Sequence, residues 1–291
     1  MAEQKFFAGI SGVDLPVDSY DLGFGVTLTR AYAHLMSPHI MAFARAEAGK
    51  AHSPPWRAAK GGLSYDVTVQ LSIASIADLP GRLSAEDTAW WIAALLRIVG
   101  HPYLAVPVLS DQPFSDAATA RNEPDLRPFE TVPRILRAGE DGPTTIADEN
   151  LDWTKRKWST GAEMLQRNPI FLSAIRAFDF CTLEGKRSLS LLSVWAGLEQ
   201  LFSPSPGESR FRVSSNIAAY LEPPGEQRLA LFKRILKLYD SRSKAAHTSS
   251  EIAVGPLVES FVIMRNVLVK IIDEESIPTQ EVLERRLFCA N

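Results

Sequence analysis

The sequence predicts an α+β fold, in which a mixed N-terminal part precedes an all-α helical bundle. Residues 63–73 alternate between apolar and polar side chains, which is typical of a half-buried strand. From residue 151 onward, apolar residues recur only at helical spacing. A segment rich in Gly, Pro and Asp at 139–149 separates the two patterns. The 291 residues therefore divide into predicted domains 1–150 and 151–291.

The elements of the N-terminal part follow from local signals. Ser84 and Asp87 have the spacing of a capping box and predict the start of a helix that continues to residue 100. Residues 104–109 predict a short strand at the edge of a sheet, because Pro107 cannot donate a hydrogen bond to a central ladder. The apolar face of the strand at 63–73 is formed by Leu63, Tyr65, Val67, Val69, Leu71 and Ile73.

Two other N-terminal segments have no regular apolar pattern. The stretch 110–129 is rich in Asp, Ala, Pro and Arg and predicts a long loop. Gly23 and Gly25, in LGFGVTLTR, resemble a phosphate-binding loop only superficially, because neither the lysine of a P-loop nor a third glycine follows. A turn or the entrance to a strand is predicted there.

Six helical segments are predicted beyond the boundary. Pro169 removes a helical donor and crowds the preceding turn, so the first segment is expected to break at Asn168-Pro169. The segments are 151–183, 187–203, 210–221, 225–247, 256–273 and 278–287.

The cysteine count and the hydropathy pattern exclude several classes of protein. Cys181 and Cys289 are far apart and belong to no CxxC pair, so neither a disulfide framework nor a thiolate zinc site can form within one chain. The first residues lack the apolar h-region of a signal peptide, and no stretch approaches the roughly 18 apolar residues of a spanning helix. We therefore expect a cytoplasmic protein in a reducing compartment.

Charge and histidine spacing narrow the possible ligands. A net charge of -3 argues against a general nucleic-acid coat, so any RNA site must be local. No metal or other cofactor is expected, because four of the five histidines lack both an HExxH spacing and neighbouring metal ligands. These four are His34, His39, His52 and His101.

The segment 225–247 combines an apolar face with a basic one. Six basic and two acidic side chains give it a local charge of +4. Lys233, Arg234 and Lys237 are the candidate RNA-binding residues of this basic ridge. The opposite stripe is predicted to pack inward and contains Leu229, Leu231, Phe232, Ile235, Leu236, Leu238 and Tyr239.

The segment ends in the hexapeptide RSKAAH, Arg242 to His247. One interpretation is an ordinary helix C-terminus, where cationic side chains complement the macrodipole and each contribute about 0.3–1 kcal/mol. At about 100° per residue, Asp240, Ser243, Lys244 and His247 share one face, whereas Arg242 lies about 140° from His247. The Arg242 side chain is therefore predicted either to curve around the helix toward the face of His247 or to act in the site of a neighbouring chain.

Three stretches in order resemble the Apea-like HEPN family. They are LSLLSVWAGLEQLF at 189–202, ESRFRVSSNIAAYL at 208–221 and FKRILKLYDSRSKAAH at 232–247. The defining element of the family is an Arg followed after four to six residues by a His, and Arg242 with His247 matches it. The resemblance covers roughly residues 185–272.

The resemblance implies a metal-independent endoribonuclease that dimerises so that two Arg/His motifs form one cleft. His247 can titrate near neutral pH and suits proton transfer, whereas Arg242 stays charged and can bind phosphate through two hydrogen bonds. A two-fold axis would supply two copies of each. Relatives of this kind also suggest a defence or toxin effector with a regulatory or antitoxin partner.

Supporting roles are expected for residues around the pair. Many family members carry Asn, Asp or His after the motif Arg, where this chain has Ser243, and Lys244 is a candidate phosphate ligand or an i,i+4 partner of Asp240. Glu199 lies on an otherwise apolar helix face and needs a partner, for which Arg242 or Arg210 is predicted.

Two alternatives to a nuclease are open from the sequence. A HEPN module without catalytic activity would use the same basic ridge to bind RNA or protein, and a purely structural dimerisation or regulatory subunit would bind no RNA.

Four tryptophans also have two interpretations, stacking on bases or ordinary packing: Trp90, Trp91, Trp153 and Trp158, the last two flanking a basic triplet.

Overall fold

The computed structural model describes residues 5–43, 48–50, 56–75, 79–116, 123–130, 132, 134, 144–202, 209–247 and 252–289, and gives the backbone alone for 36–43, 56–63 and 209. The strands are β1 Phe6–Ser11, β2 Val13–Asp14, β3 Ser19–Gly23, β4 Val26–Phe43, β5 Trp56–Ile73, β6 Ala105–Ser110, β7 Leu126–Pro128 and β8 Thr144–Thr145. The helices are α1 Ala85–Val99, α2 Asp148–Arg167, α3 Pro169–Phe180, α4 Arg187–Phe202, α5 Ser209–Leu221, α6 Glu226–His247, α7 Val254–Glu274 and α8 Gln280–Phe288.

The predicted α+β class is confirmed. The N-terminal part contains an antiparallel sheet with strand order β3-β4-β5-β1-β6-β7, and seven of the eight helices in the described residues follow it. A small parallel pair joins β2 to β8. The HEPN-type arrangement of the helices and the division into domains at residue 150 remain predictions.

The hairpin between β3 and β4 explains the two early glycines. Gly23 pairs with Val26, so the connecting loop is Phe24 and Gly25, with φ of 53° and 72°. Two positive φ angles in a two-residue loop are those of a type I′ turn, whose twist matches the flanking strands. The prediction of a turn is confirmed.

The predicted half-buried strand at 63–73 is the second half of β5. Val67, Val69, Leu71 and Ile73 are fully buried, as their alternation predicts. The strand begins earlier than predicted, at Trp56, because its first half pairs only with β4 in a long two-stranded ribbon.

Two predictions for the following segments were wrong. β6 is not an edge strand, because it pairs with both β1 and β7. Pro107 is tolerated there since the register with β1 shifts between Gly9 and Ser11, so that the missing N–H falls in a bulge. The predicted loop at 110–129 is interrupted by β7, and residues 117–122 lie outside the described part.

The helix boundaries follow local signals closely. The Ser84 hydroxyl accepts a hydrogen bond from the Asp87 amide at 3.0 Å, and α1 ends at Gly100. The predicted break before Pro169 is present, with Asn168 capping α3 by accepting from the amides of Ile170 and Phe171.

The main hydrophobic core draws residues from the sheet, from α1 and from the C-terminal helices. Trp91 Nε1 donates to the carbonyl of Trp158 at 2.9 Å, and Trp158 Nε1 donates to the carbonyl of Leu22 at 2.8 Å. Both indoles are fully buried, so neither can stack on a base. Gly161 provides the room for this contact, since a Cβ there would lie 2.5 Å from Trp91.

A buried ion cluster joins α1 to the end of α3. Arg97 contacts Asp179 at 2.8 Å and Glu130 at 2.7 Å, and Arg134 contacts the same two carboxylates at 3.2 and 2.8 Å. Trp90 Nε1 also donates to Asp179 at 2.9 Å. Burial alone would raise the pKa of Asp179, but the adjacent guanidiniums of Arg97 and Arg134 hold the pKa below its ordinary value.

The two cysteines lie in opposite environments. Cys181 is buried at the end of α3, and burial raises the pKa of its thiol well above the ordinary value. Cys289 is exposed directly after α8.

Within the described ranges, none of the helices has the length and apolar character needed to cross a bilayer.

Candidate functional site

The candidate site lies on the last turns of α6. Ile235, Leu238 and Tyr239 on this helix are buried, and the helix packs against α4 and α5. Leu229 was predicted to pack inward but is 45% exposed, because the first turn of α6 extends beyond the core. The apolar face therefore anchors the helix from Leu231 onward, and the anchored part carries the Arg/His motif.

Arg242 points toward α4. Its Nη2 donates to Oε2 of Glu199 at 3.0 Å, and both side chains are about three-quarters buried, with 28% and 23% of their area exposed. The guanidinium also lies over the ring of Tyr239, 5.6 Å from the centroid. The predicted pairing of Glu199 is present, with Arg242 as the partner.

The ion pair leaves two polar atoms without a hydrogen bond. Oε1 of Glu199 and Nε of Arg242 are both buried and have no partner among the described residues. An orphaned buried polar atom costs about 1–3 kcal/mol, and more when it belongs to a charged group. The two side chains are therefore held together but are not fully satisfied by one chain.

Arg210 has a different partner. Its Nε and Nη2 donate to the two carboxylate oxygens of Asp240, each at 2.7 Å. These hydrogen bonds lower the pKa of Asp240, and the positive charge of Lys244 contributes to the same decrease. Arg210 thus ties α5 to α6 beside the motif and does not contact Glu199.

His247 ends the helix on its solvent side. Its side chain is exposed, and so are those of Lys233, Lys237 and Lys244. At about 100° per residue these four positions fall within a sector of about 80°, and the stripe is about 21 Å long. We call this set the lysine stripe.

The remaining predicted residues lie beside the stripe. Arg234 is engaged with Glu259 of α7 at 2.8 Å, so it is not free for a ligand in this arrangement. Ser243 is half-buried, next to Arg242. Neither Lys233 nor Lys237 forms an ion pair with any residue that the structure describes.

Arg242 and His247 do not face the same space within one chain. They are separated by about 140° around α6 and by about 7.5 Å along it. One side chain reaches inward to Glu199 and the other outward to solvent. A single chain therefore does not assemble the two groups around one phosphate.

We compared the chain with known proteins at three levels. No family model, curated protein or solved structure matches it. The resemblance to Apea-like HEPN proteins rests on the three sequence stretches and the Arg/His motif.

Two of the other histidines lie beside polar side chains in the described residues. His34 Nδ1 lies 2.7 Å from Asp66, and His101 is buried beside Thr144. The His39 side chain and His52 lie outside the described residues. In the described ranges, no three His, Cys, Asp or Glu side chains form a group that could hold a metal ion.

The sequence interpretation missed two contacts of the site. Tyr239 lies three residues before Arg242, a spacing that places the two side chains on neighbouring turns of one helix. The sequence indicates only Lys244 as a partner of Asp240, whereas the structure gives Arg210 as its bidentate partner. The helical spacing was a usable signal for Tyr239, whereas no local pattern links residues 210 and 240.

Proposed function

We propose that this protein is a metal-independent endoribonuclease of HEPN type, acting in the cytoplasm as a homodimer. The observation that carries the proposal is the exposed His247 at the end of the lysine stripe, five residues after an arginine that is fixed in position. RNA phosphates would follow Lys233, Lys237 and Lys244 toward the imidazole. The resemblance to HEPN proteins supplies the reaction class.

The chemistry needs three functions at one phosphodiester. A base must remove the 2′-hydroxyl proton, an acid must protonate the leaving 5′-oxygen, and fixed positive charge must stabilise the phosphorane. His247 suits either proton transfer, because imidazole titrates near neutral pH. Arg242 suits charge stabilisation, because a guanidinium presents a planar fork of N–H donors that matches phosphate oxygens.

A second copy of the chain is needed to complete this site. Arg242 and His247 diverge around α6, so a histidine from one protomer would meet an arginine from its partner. The Arg242 side chain keeps 28% of its area exposed, so part of it can be reached by a second copy. Approach of a phosphate would compete with Glu199 for the guanidinium.

The first experiment is an RNA cleavage assay in EDTA. The wild-type chain should cut single-stranded RNA, and His247→Ala should reduce the rate at least 100-fold, the lower range for loss of a general acid or base. His34→Ala, which changes another exposed histidine, is the matched control and should keep full activity. Undiminished cleavage by a folded His247→Ala variant would exclude the proposed role.

A mixing experiment tests whether the pair acts between protomers. Arg242→Ala and His247→Ala should each be inactive, but their mixture forms heterodimers that contain one intact Arg/His pair across the interface. Partial recovery of cleavage is expected on mixing. A mixture as inactive as its components, at concentrations where sedimentation shows dimers, would contradict a site shared between two chains.

The Arg242–Glu199 pair also favours a second candidate, a non-catalytic module that binds RNA or a regulatory protein partner. Here Arg242 would hold α4 against α6 and His247 would be dispensable. Binding of RNA that weakens steeply with salt, without any product in the cleavage assay, would support this candidate over the nuclease. A toxin or defence role with an antitoxin partner is part of the first proposal only.

A further inference from the structure

Two cavities lie at the other end of α6, far from the Arg/His motif. The first has a volume of about 240 Å³ and is lined almost entirely by apolar groups of α5, α6 and α8. The second has a volume of about 310 Å³ and is lined by Arg228, Lys270 and Arg286 around the end of α5. We call them the apolar cavity and the cationic cavity. Arg228 lines both, so the two are adjacent.

The cations of the second cavity are held by backbone carbonyls. Lys270 Nζ donates to the Tyr220 carbonyl at 2.6 Å, and Arg286 Nη1 donates to the same oxygen at 3.2 Å. Arg228 donates to the carbonyls of Glu222 and Arg286, each at 2.8 Å. These bonds fix the positions of the cations and leave further N–H groups of each side chain for another acceptor.

The charge around the cationic cavity is not balanced. Three cations face two carboxylates, Glu222 in the lining and Glu274 behind it, which leaves one positive charge in excess. Glu274 is already engaged by Arg286 at 2.9 Å and by the Tyr220 hydroxyl at 3.0 Å. Burial lowers the pKa of Lys270, and the charge of Arg286 lowers it further. One bound anion would remove the excess charge.

The apolar cavity presents aromatic and aliphatic groups to solvent. Phe211 is 60% exposed and Leu229 is 45% exposed, although both line a concave surface. Phe211 meets Phe232 edge to face, with ring centroids 5.5 Å apart. Ser215 is the one uncharged polar side chain of this lining, so the cavity offers few hydrogen bonds to a nucleobase.

We infer that the two cavities together bind a small amphipathic anion, with its carboxylate or phosphate beside Arg228, Lys270 and Arg286 and its apolar body against Phe211 and Phe232. Their volumes together fall within the range of small-molecule sites. The excess positive charge favours an anionic head group over a neutral one. This site is independent of the proposed ribonuclease centre.

The test uses a pair of fluorescent probes that differ in charge. Anilinonaphthalene sulfonate carries one negative charge on an aromatic body, and N-phenyl-1-naphthylamine is its neutral counterpart. The full chain should bind the anionic probe, and Arg228→Gln or Lys270→Gln should weaken that binding about tenfold while changing the neutral probe less than twofold. Leu229→Ser should weaken both probes.

Matched controls separate this site from general surface binding. Leu189→Ser on α4 changes a leucine that is also 45% exposed, and Lys5→Gln changes an exposed lysine next to β1, and neither should alter probe binding. Octanoate and octyl phosphate should displace the anionic probe while octanol should not, and their relative strength identifies the preferred head group. Thermal unfolding verifies that each variant is folded.

Three results would overturn the inference. Equal losses for the charged and neutral probes in Arg228→Gln and Lys270→Gln would show that charge has no part in binding. An effect of Leu189→Ser as large as that of Leu229→Ser would show non-specific binding. A dimer that Leu229→Ser dissociates would show that the apolar cavity is an interface between copies of this chain.

Discussion

Arg242 and Glu199 meet at 3.0 Å between α6 and α4, and each retains one buried polar atom without a partner among the described residues. The pair is neither a solvated surface contact nor a fully satisfied buried one. Breaking this pair should therefore lower the free energy of unfolding by an intermediate amount. The limits are about 0–1 kcal/mol for an exposed pair and about 3–5 kcal/mol for a buried one.

A double-mutant cycle measures this contribution. Glu199→Gln and Arg242→Gln should each lower the free energy of unfolding by about 1–2 kcal/mol, because each leaves the other charge partly buried and unpaired. Their coupling energy should be about 1 kcal/mol in urea titrations. The exposed pair Arg210–Asp240 is the control, and its coupling should be weaker and should disappear at high salt. Additive effects of the two substitutions would contradict a direct interaction.

Two helical glycines should respond differently to alanine. In Gly161→Ala the new Cβ would lie 2.5 Å from Cζ2 of the fully buried Trp91, so the variant should lose about 1–3 kcal/mol of unfolding free energy through overpacking. In Gly255→Ala, at the start of α7, the new Cβ meets nothing outside its own turn, but Pro256 follows and disfavours helical backbone at a residue with a Cβ, so the usual helical gain is offset and stability should change by less than about 1 kcal/mol. Urea denaturation of both variants tests the pair, and a stabilising Gly161→Ala would show that Trp91 can move.

The buried ion cluster predicts a loss of stability in acid. The pKa of Asp179 is lowered in the folded protein, so its charge contributes stability above the ordinary Asp value of about 3.9. That contribution decreases as pH falls from this value toward the lower folded pKa. Asp179→Asn should be less stable than wild type at pH 6, and the difference should narrow by pH 3. A constant difference across this range would mean that Asp179 does not titrate with folding.

The lysine stripe predicts the salt dependence of RNA binding. Each lysine that neutralises one phosphate of a single strand adds about 0.7 to the slope of log K against log salt. Lys233→Gln and Lys237→Gln should each reduce that slope by about 0.7, measured by fluorescence anisotropy with a labelled single-stranded RNA. Lys5→Gln, an exposed lysine at the start of β1, should leave it unchanged. Unchanged slopes in both stripe variants would show that RNA binds to another surface of the protein.

The fold could be predicted wherever the signal was local. Ser84, Asn168 and Pro169 act within one turn, and the corresponding helix ends are where the sequence predicts them. β1 was missed because Phe6, Phe7, Ala8 and Ile10 are all buried, so the strand lacks the alternation of a half-buried one. The interior position of β6 was missed because the bulge that accommodates Pro107 depends on a partner strand almost 100 residues earlier.

In the candidate site, too, only contacts with a local sequence signal could be predicted. The partner of Glu199 was predictable, since an acidic residue among apolar neighbours requires a cation. The buried Arg97 gave no such signal, because its partners Glu130 and Asp179 come from distant segments. Leu229 was assigned to the core because the apolar stripe does not reveal where the neighbouring helices end.

The contrast between the two cysteines makes the chain suitable for thiol labelling without any substitution. A maleimide should modify Cys289 at once and leave Cys181 untouched while the native packing holds. Since Leu287, two residues before Cys289, lines the apolar cavity, a dye attached there would lie close enough to respond when that cavity is filled. The rate of the slower reaction at Cys181 would then report how often the end of α3 opens to solvent.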